Sequence, residues 1–136
     1  MVKLKTIARK NIIYCNRDDT VDKIAKIMVD HNIGSVLVRD PENEQFIGLI
    51  DDKMLFRLLT TGENPIPKKA EEIMVDLNKL SGELDIEQAW NEMEKINSDR
   101  FCVVDENNNV IGIVKKKTVG MLRLKYLKQK LGIIDI

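Results

Sequence analysis

The chain has 136 residues, 43% of them hydrophobic and 32% charged, which is a composition typical of a globular protein. This length predicts one domain, or two small repeats that share a core. The absence of an eighteen-residue apolar run excludes a membrane-spanning helix, and the first five residues lack the apolar region of an export signal. Two cysteines without a Cys-x-x-Cys spacing argue against a zinc site and a disulfide scaffold, so we expect a protein of the reducing cytoplasm.

Charge is distributed unevenly along the chain. The formal net charge is zero, with 22 basic and 22 acidic residues. The segment from Lys115 to Lys130 nevertheless holds seven basic residues and no acidic one, which leaves fifteen basic against twenty-two acidic residues elsewhere. A basic segment on an acidic body favours either pairing between copies of the chain or contact with nucleic acid.

The first elements in chain order are a strand and a helix. An apolar run at 12–15 predicts the strand, and Thr20 stands as a capping residue before apolar positions at helical spacing over 21–28. The next elements are a hairpin and a second helix. The two β-branched runs of the hairpin flank the polar turn 41–44, and the second helix is predicted over 52–59.

The second half of the chain repeats this order. The stretch from Thr20 aligns with the stretch from Asp85, and Gly48 aligns with Gly112 after the loss of one residue in the turn. A register held across two helices and two strands indicates an internal duplication. The Gly- and Pro-containing segment 61–67 links the copies.

Each copy has a capped helix, a strand, a turn, a glycine-containing strand and a second helix; in the first copy the strands read IGSVLVRD and IGLI. This order, present twice, resembles the cystathionine-β-synthase (CBS) domain in its tandem form. The resemblance covers 8–60 and 70–125, with 61–69 as linker and 126–136 as a helical extension and tail. It implies an α/β (α+β) fold of two βαββα units in a pseudo-twofold disc. It also implies a regulatory, non-catalytic protein whose clefts hold adenosine-containing ligands such as AMP, ADP, ATP or S-adenosylmethionine.

The sequence departs from this family at the ligand signature. Ligand-binding members end the glycine strand with Thr or Ser and place an Asp three residues later. Those positions hold Asp51 and Met54 in the first repeat, and Lys115 and Thr118 in the second. The first repeat therefore presents acid, and the second presents base, at the same place.

Both replacements lie where a helix begins. Asp51 or Asp52 is suited to cap the helix that follows, without any ligand. Capping is the favoured role for Asp52, whereas Asp51 could also accept hydrogen bonds from ribose hydroxyls. The lysines at 115–117 repel one another and oppose the helix dipole, so they either extend into water or bind an anion there.

Eight residues are the predicted ligand-binding set. Apolar side chains would contact adenine, and charged ones would contact sugar and phosphate. They are Ile13, Val36 and Ile113 for the base, and Asp51, Lys53, Arg100, Lys115 and Lys117 for the remainder.

No catalytic or metal-binding residue is predicted, because the chain has no phosphate-binding glycine loop and its single histidine, His31, follows the first helix. We expect a homodimer formed through the second helices, acting on a separate protein and not on a membrane. Two alternatives stay open. Both clefts could be degenerate in a pure assembly scaffold, or the basic helix could bind nucleic acid, although it lacks interleaved aromatic residues and arginines.

Overall fold

The computed structural model describes residues 2–133, which form two three-stranded sheets with associated helices. The mixed fold class predicted from the sequence is therefore confirmed. In chain order, the elements are α1 (Leu4–Ile7), β1 (Tyr14–Asn16), α2 (Val21–Asp30), β2 (Ser35–Asp40), β3 (Gln45–Asp51), α3 (Asp52–Leu59), α4 (Ala70–Ile73), β4 (Lys79–Ser81), α5 (Ile86–Glu94), β5 (Arg100–Val104), β6 (Val110–Lys115) and α6 (Lys116–Lys130).

The two sheets have the same topology, as a duplication requires. The first has the order β1-β2-β3 and the second β4-β5-β6; the first pair in each is parallel and the second pair antiparallel. Each hairpin carries an irregularity at the same place, between Val38 and Arg39 in the first repeat and between Val103 and Val104 in the second. The aligned sequences thus fold into matching strands, registers and bulges.

The first helix of each repeat is capped differently from its counterpart. Asp85 accepts a hydrogen bond from the backbone of Gln88 at 2.9 Å, and the Gln88 side chain accepts one from the backbone of Asp85 at 3.0 Å. This reciprocal pair satisfies two of the free donors at the start of α5. Thr20 occupies the N-cap position of α2 as predicted, but its hydroxyl donates to Asp22 instead of capping the helix.

The compact units of the structure are offset from the repeats of the sequence. One unit spans Ile12–Leu77, and the other joins residues 2–11 to 78–133. The short helix α1 therefore packs with the second repeat, while α4 packs with the first. The N-terminal segment is held by backbone hydrogen bonds from Leu4 to Leu84 at 2.7 Å and from Lys5 to Gly82 at 3.1 Å.

The glycine in the middle of each hairpin receives one of these short segments. Backbone hydrogen bonds of 2.9 and 3.0 Å join Leu49 to Val75, and bonds of the same lengths join Ile113 to Arg9. A Cβ atom on Gly48 would lie 2.4 Å from the Met74 sulfur, and one on Gly112 would lie 2.7 Å from Ala8 Cβ. Both glycines therefore leave the room that the docked segment occupies.

Each unit has a core of its own. Buried side chains that include Ile24, Val36 and Ile50 fill the unit of the first repeat. In the other unit, Phe101 and Leu4 of α1 are the first two of the largest fully buried side chains, and Met93 packs in the same core. A short N-terminal helix thus contributes to the core of the repeat that is more distant in sequence.

The two units carry opposite net charges. Residues 12–77 contain eight basic and thirteen acidic residues, a net charge of −5. The remaining residues contain fourteen basic and nine acidic residues, a net charge of +5. The neutral total of the sequence therefore hides a strong asymmetry between the units.

The basic helix α6 ends in a glycine-based cap. Gly132 adopts a left-handed backbone conformation with φ of +73°, and the Ile133 amide donates to the Lys128 carbonyl at 2.8 Å. This pattern closes the last turn and ends the helix. The predicted apolar tail continues through residues 134–136, which lie outside the described residues.

Candidate functional site

The corner between β3 and α3 is acidic and capped. Asp51 lies opposite Ser35 in the hairpin and is the N-cap of α3. Its carboxylate accepts a hydrogen bond from the Met54 amide at 2.8 Å. Asp52 follows as the first helical residue, and its carboxylate accepts from the Lys53 amide at 2.8 Å. The sequence favoured Asp52 as the cap, but Asp51 caps the helix, because Asp52 is already its first helical residue.

The corner between β6 and α6 is basic and has no side-chain cap. Lys115 lies opposite Arg100 in the hairpin and occupies the N-cap position of α6. A lysine side chain has no acceptor, so it leaves the amides of the first turn without a side-chain partner. Lys116 is half-buried and donates to the Ile96 carbonyl at 3.2 Å, whereas Lys115 and Lys117 are exposed.

This second corner concentrates positive charge at an unfavourable place. Like charges directly opposite each other in an antiparallel pair are destabilising. Each exposed cation at the positive end of a helix costs a further ~0.3–1 kcal/mol. The first turn of α6 contains no acidic residue. An anion would be attracted both by the side chains and by the helix start.

The predicted charged residues therefore form two groups, one in each unit. Arg100, Lys115 and Lys117 lie at the start of α6, the first two as direct cross-strand partners. Asp51 and Lys53 lie at the start of α3. In each unit, the charged residues predicted to bind a ligand lie at one strand–helix corner. Their contact with a ligand stays a prediction.

The three apolar candidates differ in accessibility. Val36 is fully buried within the core of its unit, and Ile113 is 5% exposed, where it exchanges backbone hydrogen bonds with Arg9. Ile13 is half-buried, and its carbonyl accepts from the Leu37 amide at 3.2 Å. Of the three, Ile13 presents the most side-chain surface for stacking against a base.

Sequence reasoning missed Ser35. It lies directly opposite Asp51 and is 3% exposed. Among the residues that the structure describes, it is the polar residue that is buried. The repeat alignment carries the information needed to find it, because Ser35 aligns with Arg100 just as Asp51 aligns with Lys115. A hydroxyl and a carboxylate in one repeat thus replace two cations in the other.

A salt-bridge cluster that the sequence did not suggest fixes the N-terminal segment. Lys3 and Lys5 both bind Glu83, the latter at 2.7 Å. The hydrogen bonds from Lys3 and then Lys5 lower the pKa of Glu83 to about 2. In the other unit a single pair at the corresponding place, Lys69 and Asp18, is 3.9 Å apart.

The cysteines have the properties of core residues. Burial raises the pKa of Cys15 to about 12 and that of Cys102 to about 11. Thiols this far from ionisation are poor nucleophiles at neutral pH. Across residues 2–133 no group of three or more His, Cys, Asp or Glu side chains is arranged to hold a metal ion. His31 is exposed at the C-cap of α2, and its Nδ1 is 2.9 Å from the Ile27 carbonyl oxygen.

An apolar groove of about 430 Å³ lies within the unit that contains the second repeat. It runs between the start of α5 and the end of α6, and Val2 closes one side. Arg123 and Glu87 line it and form an ion pair at 2.7 Å. None of the predicted site residues lines this groove.

No helix in the described part of the chain is long and apolar enough to cross a bilayer.

The model of the CBS domain family matches residues 4–61 and again residues 70–125. The chain belongs to the CBS domain family. The resemblance inferred from the sequence is thereby confirmed, including its tandem form. The matched regions contain both strand–helix corners, so Asp51 and Lys115 occupy equivalent places in two copies of one family domain.

The similar curated proteins are longer than this chain. The uncharacterized protein MK0525 of Methanopyrus kandleri is 28% identical over 120 residues, 87% of this chain and 61% of that protein. The mitochondrial CBS domain-containing protein CBSX3 of Arabidopsis thaliana is 33% identical over 70 residues, 50% of this chain and 34% of that protein. The chain thus spans less than two thirds of the length of either.

Solved structures with the same fold include complexes. The CBS domain pair of MJ0100, solved with 5′-methylthioadenosine and S-adenosyl-L-methionine, has a TM-score of 0.75 at 24% identity, covering 91% of this chain and 97% of that one. CBSX2 in complex with AMP has a TM-score of 0.71 at 18% identity, covering 93% and 98%. A CBS-domain pair from Klebsiella pneumoniae with bound AMP has a TM-score of 0.74 at 13% identity, covering 91% and 99%. At these identities the likeness establishes the fold.

Proposed function

We propose that the protein is a non-catalytic regulatory module that senses an adenosine-containing ligand and passes the signal to a separate protein. The observation that carries the proposal is the cross-strand pair Arg100–Lys115 at the uncapped start of α6. Two cations directly opposite each other, beside a helix start whose N-cap residue provides no side-chain cap, would attract a phosphate or a carboxylate. The ligand complexes formed by proteins of the same fold support the adenosine class.

The two corners differ in the ligand groups that each would bind. The cations Arg100, Lys115 and Lys117 suit a phosphate or carboxylate, and the carboxylate of Asp51 suits ribose hydroxyls. Hydroxyls donate hydrogen bonds to carboxylates, whereas phosphate oxygens accept them from cations. AMP, ADP, ATP and S-adenosylmethionine all combine an adenosine with a charged group, so all four are candidates. We place the module in the reducing cytoplasm, in keeping with two buried, unpaired thiols.

A pure assembly scaffold is the second candidate. It is favoured by the missing Thr/Ser-x-x-Asp pattern and by the hydrogen bond that the Asp51 carboxylate already makes to the Met54 amide. A nucleic-acid binder is the third, resting on the charge of α6, and it predicts an affinity for DNA or RNA that falls steeply as salt rises.

Thermal denaturation of the purified protein with each of AMP, ADP, ATP, S-adenosylmethionine and 5′-methylthioadenosine tests the proposal. A ligand at a hundred times its dissociation constant adds about 2.7 kcal/mol to the folded state, which raises the Tm of a domain this size by several degrees. We expect Lys115→Glu to abolish the shift, and Lys125→Glu, the same charge change elsewhere on α6, to retain it.

The outcomes separate the candidates. A shift in the wild type that Lys115→Glu abolishes supports sensing at the basic corner. No shift with any of the five compounds favours the scaffold. Release of the bound compound in a chemically altered form, detected by mass spectrometry, would overturn the non-catalytic part of the proposal.

A further inference from the structure

Helix α6 is longer than its counterpart in the first repeat. It has fifteen residues, whereas α3 has eight. The alignment of the repeats pairs 52–59 with 116–123, so the part of α6 from 124 to 130 lies outside the duplicated pattern. The second match of the family model also ends at residue 125. The end of α6 is therefore an addition to the domain that the two repeats share.

One side of this added part lines the apolar groove. Four residues of α6 line it, at positions 123, 126, 127 and 130. Their spacing of three and four residues places them on one side of the helix. Ile86 at the start of α5 and Val2 complete the apolar lining, and all of these residues belong to one compact unit. A volume of about 430 Å³ is within the usual range of small-molecule pockets.

The apolar residues of the groove differ in how much surface they leave to water. Ile86 is almost fully buried, Leu127 and Val2 are half-buried, and Tyr126 is 38% exposed. Removing apolar surface of this kind from water is favourable. A ligand with an apolar body would therefore gain affinity by covering Tyr126 and Leu127.

The charged residues of the groove leave one positive charge uncompensated. The Nε of Arg123 donates to both carboxylate oxygens of Glu87, at 2.9 and 2.7 Å, so these two charges offset each other. Lys130 is exposed, and no carboxylate among the described residues is paired with it. The unit as a whole has a net charge of +5. The groove is therefore complementary to an apolar ligand that carries one negative charge.

We propose that this groove binds a small apolar carboxylate from solution, with its carboxylate on Lys130 and its chain along Tyr126 and Leu127. A rise of 1.5 Å per residue places Arg123 ~10 Å from Lys130 along the helix, a distance that a medium-length alkyl chain matches. A longer chain meets the Arg123–Glu87 ion pair, and burying those charges is costly. This ligand differs in class from the adenosine compounds considered above, and none of the residues proposed for them lines the groove.

Calorimetric titration of the full chain with octanoate tests the proposal. Three related compounds serve as controls: butanoate lacks most of the apolar chain, octanol lacks the charge, and octylamine reverses the charge. We expect octanoate to bind most tightly of the four. Octylamine that binds as tightly as octanoate, or octanoate that does not bind, would overturn the proposal.

Paired substitutions on α6 locate the site. Leu127→Gln removes an apolar side chain from the lining and should weaken octanoate binding by about tenfold. The control Leu124→Gln changes a 55% exposed residue outside the lining and should leave the affinity unchanged. Lys130→Glu should weaken binding by about threefold or more, whereas Lys125→Glu, the same charge change outside the lining, should not. Because Lys130 is exposed, this second pair tests the site even where Leu127→Gln perturbs the fold.

Two other outcomes would give the groove a different explanation. Equal losses of octanoate affinity in Lys130→Glu and Lys125→Glu would mean that the ligand is attracted by the overall charge of α6, and would overturn the proposed site. An affinity that falls as the protein self-associates would assign the groove to a second copy of the chain and also overturn it. Neither result changes the test with adenosine compounds, which depends on Lys115 and not on the groove.

Discussion

Asp51 and Lys115 occupy the same position in the two repeats, each at the end of a hairpin and each just before a helix. The backbone is the same at both places: the amide of Asp52 donates to the Gly34 carbonyl at 3.0 Å, and that of Lys116 donates to the Asp99 carbonyl at 2.9 Å. The side chains differ in consequence. Asp51 completes its helix, whereas Lys115 leaves the start of α6 open to another acceptor. A duplicated fold can therefore keep its geometry while one copy caps its second helix with a side chain and the other does not.

What the two repeats share should give the largest effect. Gly112→Ala would place a Cβ atom 2.7 Å from Ala8 Cβ and 3.1 Å from the Arg9 carbonyl oxygen. Overpacking of this kind costs ~1–3 kcal/mol, and we expect that loss in the free energy of unfolding measured by urea denaturation. The double variant Ala8→Gly/Gly112→Ala should recover part of it. Equal stability of the single variant and the wild type would show that the N-terminal segment is not docked at Gly112.

Substitutions at the two corners should change the free energy of unfolding by smaller amounts, with opposite signs at Asp51 and at Lys115. Asp51→Ala removes a cap and should cost ~0.5–2 kcal/mol, whereas Asp51→Ser should retain most of the stability. Lys115→Asp supplies a cap and removes an unfavourable charge, so it should raise stability by about 1 kcal/mol. The control Lys125→Asp makes the same charge change without a cap and should not stabilise. If Lys115→Asp destabilises the protein, the start of α6 is not an uncapped helix end.

The smallest effect concerns the salt bridges that hold the N-terminal segment. Because the folded pKa of Glu83 is lowered to about 2 from a usual value of 4.5, its contribution is present above pH 4.5 and is lost as pH falls towards 2. Thermal melts at pH 6, 4 and 3 should therefore show the advantage of the wild type over Glu83→Gln shrinking with acid. A constant difference would mean that the carboxylate of Glu83 is not the group responsible.

Much of this fold could be predicted because its helices and hairpins are determined by local sequence patterns. The helix after Asp51 begins and ends within one residue of the expected positions, since the apolar spacing, the aspartates and the following glycine all agree. The hairpins followed from alternating β-branched runs and polar turns. The duplication then allowed each strand of one repeat to be checked against the other.

What the sequence did not reveal depends on contacts between distant segments. Nothing local indicates that Leu4 packs with Phe101, or that Gly112 is small because Ala8 approaches it. Likewise, Ser35 gains interest only once the strand register places it opposite Asp51. The charged candidates could be found from the sequence because a few neighbouring residues show that a lysine stands at an unfavourable helix start. The burial of Val36 and Ile113 depends on the whole fold, and both are almost wholly enclosed.

The offset between sequence repeats and compact units bears on how the chain can be divided. A cut in the linker 61–69 would leave α1 on a fragment with the first repeat and α4 on a fragment with the second. Each half would then hold the docking segment that the other needs to cover its central glycine. Neither half should fold completely alone, and each should fold when the other is added. The linker is therefore a suitable cut site for fragment complementation, in which a native structure reports that two halves have met.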